Sequence, residues 1–325
     1  MENPGVAVPR RLLSRSMETQ KTTIDYLRFR AQDEPRAVLE ALRPAFGTLG
    51  PDLRFRHLAR GSMGFQQASQ IVIEDMPVAR MDFGGESQRG WVRTELSGKG
   101  CEWVQDWDAL DTVEQLPSAQ IRRLDIALTT WEGQVSHEQV VEAHGMGRFK
   151  TGGRPPDLQQ ITSSNDRAGR TCYVGKRTSD KFFRAYEKGF EMLAKLGRVP
   201  GTVTHIAGHR IEDIYRCEVE LKAESTPIGW DVIERRDQYF AGAYPFCADV
   251  LPGIEPDILQ RRKERAPQTE LAVALENCRI QFGATLYTAL RAYGGDIGAV
   301  WDKVIGDHHQ QQLLEAGVLL VEHEV

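Results

Sequence analysis

The stretch Gly169-Arg170-Thr171-Cys172-Tyr173-Val174-Gly175-Lys176-Arg177-Thr178-Ser179-Asp180-Lys181-Phe182-Phe183-Arg184-Ala185-Tyr186-Glu187-Lys188 decides how this chain is read. It divides into a strand, a tight basic turn and a second strand that bears one tyrosine between two cations. From Phe183 to Lys188 the even-numbered residues Arg184, Tyr186 and Lys188 share one face at the two-residue period of a strand. The same residues also suit a helix starting at Ser179, with Phe182, Phe183, Tyr186 and Phe190 as its buried stripe. On the strand reading, a phenol flanked by Arg and Lys suits phosphate chemistry. A protonated phenol, with a reference pKa of about 10, is a poor nucleophile, whereas nearby cations favour the phenolate and neutralise the phosphate it would attack.

Two further stretches repeat the alternating pattern. In Ile121-Arg122-Arg123-Leu124-Asp125-Ile126-Ala127-Leu128, Leu124, Ile126 and Leu128 form an apolar face while Arg123 and Asp125 share the other. In Tyr215-Arg216-Cys217-Glu218-Val219-Glu220-Leu221, Cys217, Val219 and Leu221 face one way and Arg216, Glu218 and Glu220 the other. Carboxylates at i and i+2 of a strand lie about 6–7 Å apart. With Asp125 from a neighbouring strand, Glu218 and Glu220 form an oxygen-only set suited to a hard cation such as Mg²⁺ or Mn²⁺. The plain alternative for both stretches is a surface strand with paired charges.

The 325 residues leave room for one large or two ordinary domains with a substantial core. No apolar run approaches the roughly 18 residues of a membrane span. The arginines Arg10, Arg11 and Arg15 are not followed by the apolar core of a secretory signal. Five scattered cysteines without a CxxC pair argue against zinc and against a disulfide framework, and so for a reducing cytoplasm. The net charge of −5 does not advertise a nucleic-acid binder, yet from Arg148 to Arg216 fourteen Lys and Arg face seven Asp and Glu. That local surplus is compatible with one basic groove, and equally with a solvated charged face. No internal repeat and no Walker-type phosphate loop is visible, which argues against an ATPase.

The expected organisation is α+β: a loosely attached arm over 1–20, an antiparallel-sheet region with flanking helices over 21–228, and a helical region over 229–325. Thr23 to Arg30 reads as the first strand and Glu34 to Leu42 as a helix before Pro44. Ala68–Val72, Val78–Phe83 and Gly90–Leu96 read as a meander, followed by Ser97-Gly98-Lys99-Gly100-Cys101, where paired glycines permit positive φ and a close backbone approach. Helices are expected over Trp103–Leu110 and His137–His144, then a mobile loop over Gly145–Asp166 before the central hairpin, and a helix over Gly189–Leu196 after it. Further helices are expected over Asp231–Tyr239, Glu255–Arg265, Gln268–Tyr293, Asp296–Ile305 and His308–Ala316. His308-His309 reads as a helix start rather than a metal site.

Taken together, the glycine pair at 98 and 100, the Arg123–Leu128 strand, the Gly169–Ser179 and Arg184–Lys188 runs and the Arg216–Leu221 strand resemble the ordered signature of the replication initiation factor family. The resemblance covers about Thr23 to Leu221; its most specific part is the Gly169–Lys188 run. Length and N-terminus suggest a filamentous bacteriophage member. The resemblance implies the core of a rolling-circle Rep nuclease: an endonuclease and strand transferase that nicks one strand at an origin, holds the 5′-phosphate on a tyrosine and later rejoins the strand. It assigns the nucleophile to Tyr186, metal-binding acids to Asp125 and Glu218, and phosphate contacts to Lys188 and Arg184; strand geometry adds Glu220. Arg170, Lys176, Arg177 and Lys181 are the expected DNA contacts. The implied cofactor is Mg²⁺ or Mn²⁺. The implied partners are origin DNA, single-stranded or in a cruciform, a host helicase and a second copy of the chain, in the bacterial cytoplasm and without a membrane. Thr129-Thr130 stands where relatives often have another acid, and the His-hydrophobe-His motif of other rolling-circle initiators is absent. Two rivals are a non-catalytic DNA-binding regulator on the same fold and a metal nuclease that uses water.

Overall fold

The computed structural model describes residues 20–165, 168–197, 203–259, 267–310 and 313–314. The expected arm over 1–20 lies outside these apart from Gln20, whose side-chain amide donates to the Glu234 carbonyl. A ten-stranded sheet, antiparallel at every pairing, organises the first unit. Its strands are β1 (Thr23–Gln32), β2 (Arg54–Leu58), β3 (Gln67–Ile73), β4 (Met76–Phe83), β5 (Trp91–Leu96), β6 (Gln120–Thr130), β7 (Leu158–Ile161), β8 (Thr171–Val174), β9 (Lys181–Tyr186) and β12 (Tyr215–Lys222). A separate two-stranded hairpin is made by β10 (His205–Ile206) and β11 (His209–Arg210). The order across the large sheet is β2-β3-β4-β5-β1-β6-β12-β9-β8-β7.

Alternation along each strand sorts the sheet into two unlike faces. Leu27, Phe29 and Ala31 of β1, Leu124, Ile126 and Leu128 of β6, Cys217, Val219 and Leu221 of β12, and Phe183 and Ala185 of β9 all enter one buried core. The opposite face is polar and mostly half exposed. Helices α1 (Pro35–Leu42), α4 (His137–Gly145), α6 (Arg236–Ala243) and α7 (Pro245–Val250) supply the rest of that core, and the short α3 (Asp111–Glu114) adds Val113. Phe149 is at its centre, with ring centroids 4.9 Å from Phe183, 5.5 Å from Tyr244 and 5.0 Å from Phe246. Each such ring contributes about 2–3 kcal/mol by burial.

That cluster explains why the expected boundary at 228/229 is corrected. The described residues from Gln20 to Leu259 form one compact unit with the sheet, and those from Pro267 onward belong to a second. Helices α6 and α7 complete the sheet's core rather than starting a new one. Asp237 also ties the sheet's first strand down: its carboxylate accepts from the Lys21 and Thr22 amides, each at 2.8 Å, and from the Thr22 hydroxyl at 2.6 Å. The second unit holds α8 (Pro267–Ala292) and α9 (Ile297–Val304); Asp296 caps α9 by accepting from the Ala299 amide at 3.0 Å. Among the described residues no helix is long and apolar enough to cross a membrane.

Other expectations are corrected locally. The loop expected over Gly145–Asp166 contains the edge strand β7, and β2 precedes the expected meander. Trp103–Leu110 holds only a short turn of helix over Asp108–Leu110. Glu255–Leu259 and His308–Gln310 are not helical, while residues 260–265, 311–312 and 315–316 lie outside the described set. The glycine pair forms part of α2 (Gly98–Cys101) without positive φ. The close approach is there instead: a Cβ on Gly100 would lie 1.7 Å from the Val78 carbonyl oxygen. Gly100→Ala should therefore destabilise the protein by about 1–3 kcal/mol through forced backbone shifts, read as a lower urea midpoint at unchanged slope; an unchanged midpoint contradicts this packing.

Candidate active site

Tyr186 is the last residue of β9 and its side chain lies on the polar face. The helix alternative for this stretch is excluded: the strand ends at Tyr186 and α5 (Lys188–Lys195) begins two residues later. The short connection is fixed by glycine. The Gly189 amide donates to the Ile214 carbonyl at 3.1 Å, and a Cβ on Gly189 would lie 2.1 Å from the Ile211 carbonyl oxygen. Only a residue without a side chain lets the first turn of α5 lie so close to that backbone. Lys188 is thereby returned over the tyrosine, with Nζ 3.4 Å from its hydroxyl, although it belongs to a helix and not to the strand.

The register of β12 between β9 and β6 brings in the acids. Arg216 is opposite Tyr186, Glu218 opposite Arg184, and Glu220 opposite Asp125. The Tyr186 hydroxyl donates to Glu218 Oε1 at 2.8 Å. Arg184 donates to the other carboxylate oxygen, Nε to Oε2 at 2.8 Å, and its guanidinium carbon is 5.3 Å from the centre of the Tyr186 ring. Arg216 approaches Glu218 Oε1 to 4.0 Å and also donates to Asp25 at 3.0 Å and Thr129 at 2.8 Å. Lys188 is held by Glu191 at 2.5 Å. Next along the sheet, Arg123 donates to both Asp125 oxygens at 2.8 and 2.7 Å and reaches Glu220 at 2.9 Å, while Lys222 meets Glu220 at 2.6 Å. The three segments thus converge on one side of one sheet.

The electrostatics reverse one expectation. The cations around Tyr186 do not favour the phenolate here: burial, and then the Glu218 carboxylate, push the phenol above its ordinary value. Burial, and then neighbouring Arg216, lower Lys188. Burial also pushes Asp125 up to about 6 against the pull of Arg123, with Glu220 and Glu218 adding to the rise. Burial works against Glu191, yet the hydrogen bonds from Lys188 and Lys195 bring it down to about 2. Five cations (Arg123, Arg184, Lys188, Arg216, Lys222) face five acids (Asp25, Asp125, Glu191, Glu218, Glu220), and the exposed Lys195 reaches Glu191 from outside, so the charges of the cluster are nearly balanced.

That pairing bears on a metal ion. Asp125, Glu218 and Glu220 are the right donor type for Mg²⁺ or Mn²⁺, but as paired here they do not fit one. Arg123, Arg184 and Lys222 hold their oxygens, and among the described residues no group of three or more His, Cys, Asp or Glu is disposed to hold a metal ion.

The site is thus a phenol on a sheet face, next to a buried acid and ringed by cations. Residues 119–270 match the family model described as replication initiation factor. The match covers 152 of the 325 residues and marks the region in which this chain resembles that family. No curated protein matches the sequence. Among solved structures, the rolling circle replication initiator protein from Geobacillus stearothermophilus matches with a TM-score of 0.51 and 18% identity, over 74% of this chain and 99% of that one. At that identity the likeness shows the shared fold: a mixed helix-and-strand protein built on a large antiparallel sheet.

Tyr186, Arg184, Lys188, Asp125, Glu218 and Glu220 all lie within the matched residues 119–270 and on one side of the sheet. The expected DNA contacts divide. Lys176 and Arg177 are exposed on the turn between β8 and β9, where the Arg177 guanidinium lies 4.8 Å from the Phe182 ring and 5.1 Å from that of Tyr173. Arg170 is tied to Glu187 at 2.8 Å and Glu138 at 2.5 Å, and it lines a cavity of about 440 Å³ with Ser136, His137 and Tyr215. Lys181 is a correction. It points to the core side of β9, donates to the Ala243 carbonyl at 2.7 Å and lies over the Tyr244 ring, so it closes the end of α6. Sequence reasoning passed over Arg216, Glu191 and Lys222 as site residues. Arg216 and Lys222 were legible in the alternation of β12, and Glu191 at i+3 from Lys188 once α5 was known to start there.

Proposed function

We propose that this protein is a rolling-circle replication initiator that nicks one DNA strand at an origin and later rejoins it, with Tyr186 as nucleophile. The observation that supports this most directly is the 2.8 Å hydrogen bond from the Tyr186 hydroxyl to Glu218, set among Arg184, Lys188 and Arg216. Because the phenol stays protonated, it needs a base at the moment of attack. Glu218 is within reach of the proton it would take. The tyrosine oxygen bonds to phosphorus as the P–O3′ bond breaks, the phenolic proton passes to Glu218, and the freed 3′ oxygen takes a proton from solvent. Arg184, Lys188 and Arg216 offset the charge on the non-bridging oxygens. The 5′-phosphotyrosine keeps the bond energy, and attack by a 3′-hydroxyl reverses the steps. Lys176 and Arg177 would grip the DNA beside the site.

Mg²⁺ or Mn²⁺ is proposed as the cofactor only of a rearranged site, in which Asp125, Glu218 and Glu220 have released their cation partners and would hold the ion. An ion entering there has to displace Arg123, Arg184 and Lys222. Removing one competitor, by Arg123→Gln, should tighten Mn²⁺ binding about tenfold in calorimetry, equal to about 1.4 kcal/mol; unchanged or weaker binding would take these acids out of that role. Origin DNA, single-stranded or extruded as a cruciform, is the proposed substrate, a host helicase and a second copy of the chain are proposed partners, and the host cytoplasm the proposed place of action.

Supercoiled origin DNA incubated with protein and Mg²⁺ or Mn²⁺, then run on a gel with and without protease, tests the proposal. The expected product is open circles whose mobility changes on protease treatment. Nicking with no bound protein would favour water as nucleophile, and binding without nicking would favour a DNA-binding regulator.

A further inference from the structure

The polar face of the sheet does not end at the proposed nicking site. It continues through β1, β5 and β4 to β2, most of it outside the region that matches the replication initiation factors. The register carries the face across, with β-bulges in the β1–β6 pairing on either side of the Tyr26–Arg28 segment. Tyr26 is opposite Asp125, Arg28 is opposite Arg123 on one side and Glu95 on the other, Arg30 is opposite Arg93, Arg93 opposite Asp82, and Arg80 opposite Glu95. Arg56 of β2 follows through Gln70 of β3.

Its composition differs from that of the closed cluster around Tyr186. Apart from Asp25, which belongs to the cluster around Tyr186, this face of β1, β2, β4 and β5 presents Arg28, Arg30, Arg54, Arg56, Arg80 and Arg93 against Asp82 and Glu95, six cations against two acids. The two acids are taken by Arg80 and Arg93. Arg28 and Arg30 form no ion pair with a carboxylate among the described residues; Arg30 donates to the Gln120 side chain at 2.9 Å instead. Aromatic rings alternate with these cations. The Arg30 guanidinium lies 4.0 Å from the centre of the Trp91 ring, and that of Arg123 lies 4.3 Å from the centre of Tyr26. These cations, rings and acids are half exposed except Arg54 and Arg56, which are exposed, and Asp82, which is buried.

The geometry points to a single-stranded DNA track on this half of the sheet, on which the strand leaving the Tyr186 site runs across β1 and β5, its phosphates on Arg28, Arg30 and Arg93 and its bases on the Tyr26 and Trp91 platforms. A surplus of cations complements a polyanion, and flat rings backed by guanidinium groups accept unstacked bases without reading their sequence. A duplex keeps its bases stacked inside and uses only the charges. From β9 to β4 the face spans roughly 24 Å at about 4.8 Å per strand, a length that suits the roughly 4–16 nucleotides of single-strand platforms. The track extends the nicking proposal by naming the path of its substrate, but it can be tested without cleavage.

The test is fluorescence anisotropy with the full chain, labelled dT20 and a labelled 20-base-pair duplex, with no divalent metal, over a salt series. The Arg28→Glu/Arg30→Glu double variant should bind dT20 at least about tenfold more weakly and lower the salt slope by roughly 1.4, about 0.7 per lost phosphate contact. Trp91→Ala should weaken dT20 about fivefold or more and leave the duplex within twofold. Arg28→Gln is the milder substitute should the double reversal not fold, with an expected loss of about threefold. Affinities for dT20 within twofold of the unaltered protein in the folded variants would overturn the track, as would an equal loss on dT20 and duplex in Trp91→Ala. Absence of a covalent adduct would sink the nicking reading without touching this result, and the reverse also holds.

Discussion

Tyr186→Phe should abolish the covalent protein–DNA adduct while leaving binding to dT20 and to origin DNA within about twofold. The substitution removes one oxygen and keeps the ring that lies beside Arg184 and Lys188. No other hydroxyl is placed on Glu218 in the described structure. Loss of a sole nucleophile lowers rates by on the order of 10⁴–10⁶, beyond what misplacement alone would give. The fold should survive, because the change leaves one Glu218 oxygen without its donor at a cost of about 1–3 kcal/mol. Adduct formation at an undiminished rate in this variant would remove Tyr186 from the chemistry.

Glu218→Gln should have the second-largest effect, and on two quantities at once. As the acceptor of the phenolic proton, Glu218 should account for about 10²–10⁴ in nicking rate, and an amide cannot take that proton. The residue is 3% exposed and also pairs with Arg184. Removing the charge leaves that guanidinium without its partner, which would cost about 3–5 kcal/mol for a fully buried pair. Since the Arg184 side chain is about a third exposed, roughly 2–3 kcal/mol is the better expectation. Nicking should therefore be measured at a temperature where circular dichroism shows the variant folded. The Tyr186→Phe/Glu218→Gln double variant should be no slower than Tyr186→Phe alone, because base and nucleophile act in one step. A folded Glu218→Gln protein that nicks at the unaltered rate would leave the phenol without a base.

Why this site was largely legible in sequence, and where it was not, follows from which forces act locally. Alternation in β1, β6, β9 and β12 is a property of short windows, so the faces bearing Tyr186, Asp125 and Glu218 could be assigned residue by residue. Register is not local. That Glu220 is opposite Asp125 and Arg216 opposite Tyr186 depends on pairing between segments far apart in the chain. Glu218 therefore read as a metal ligand, whereas its nearest partners are a phenol and a guanidinium. The state of Tyr186 was misjudged for a related reason. Charges are visible in a sequence, but burial is not, and burial dominates here.

Other departures have equally specific causes. Edge strand β7, Leu158-Gln159-Gln160-Ile161, has too few apolar positions to announce itself. Helices α6 and α7 are buried on most sides by Phe240, Tyr244, Phe246 and Cys247, so their sequences show no solvent face to mark them as part of the sheet's core. Lys181 was grouped with the basic turn, although the parity of β9 places it beside Phe183 and Ala185 on the inner face.

The most direct test of the central claim is to find where the DNA is attached. The protein is incubated with nicked-site DNA, the adduct is digested with nuclease and protease, and the nucleotide-bearing peptide is sequenced by mass spectrometry. The account predicts a 5′-phosphoryl nucleotide on the side-chain oxygen of Tyr186 and on no other residue. A phosphoryl group on a different tyrosine, or a cleaved strand with a free 5′-phosphate and unmodified Tyr186, would contradict it.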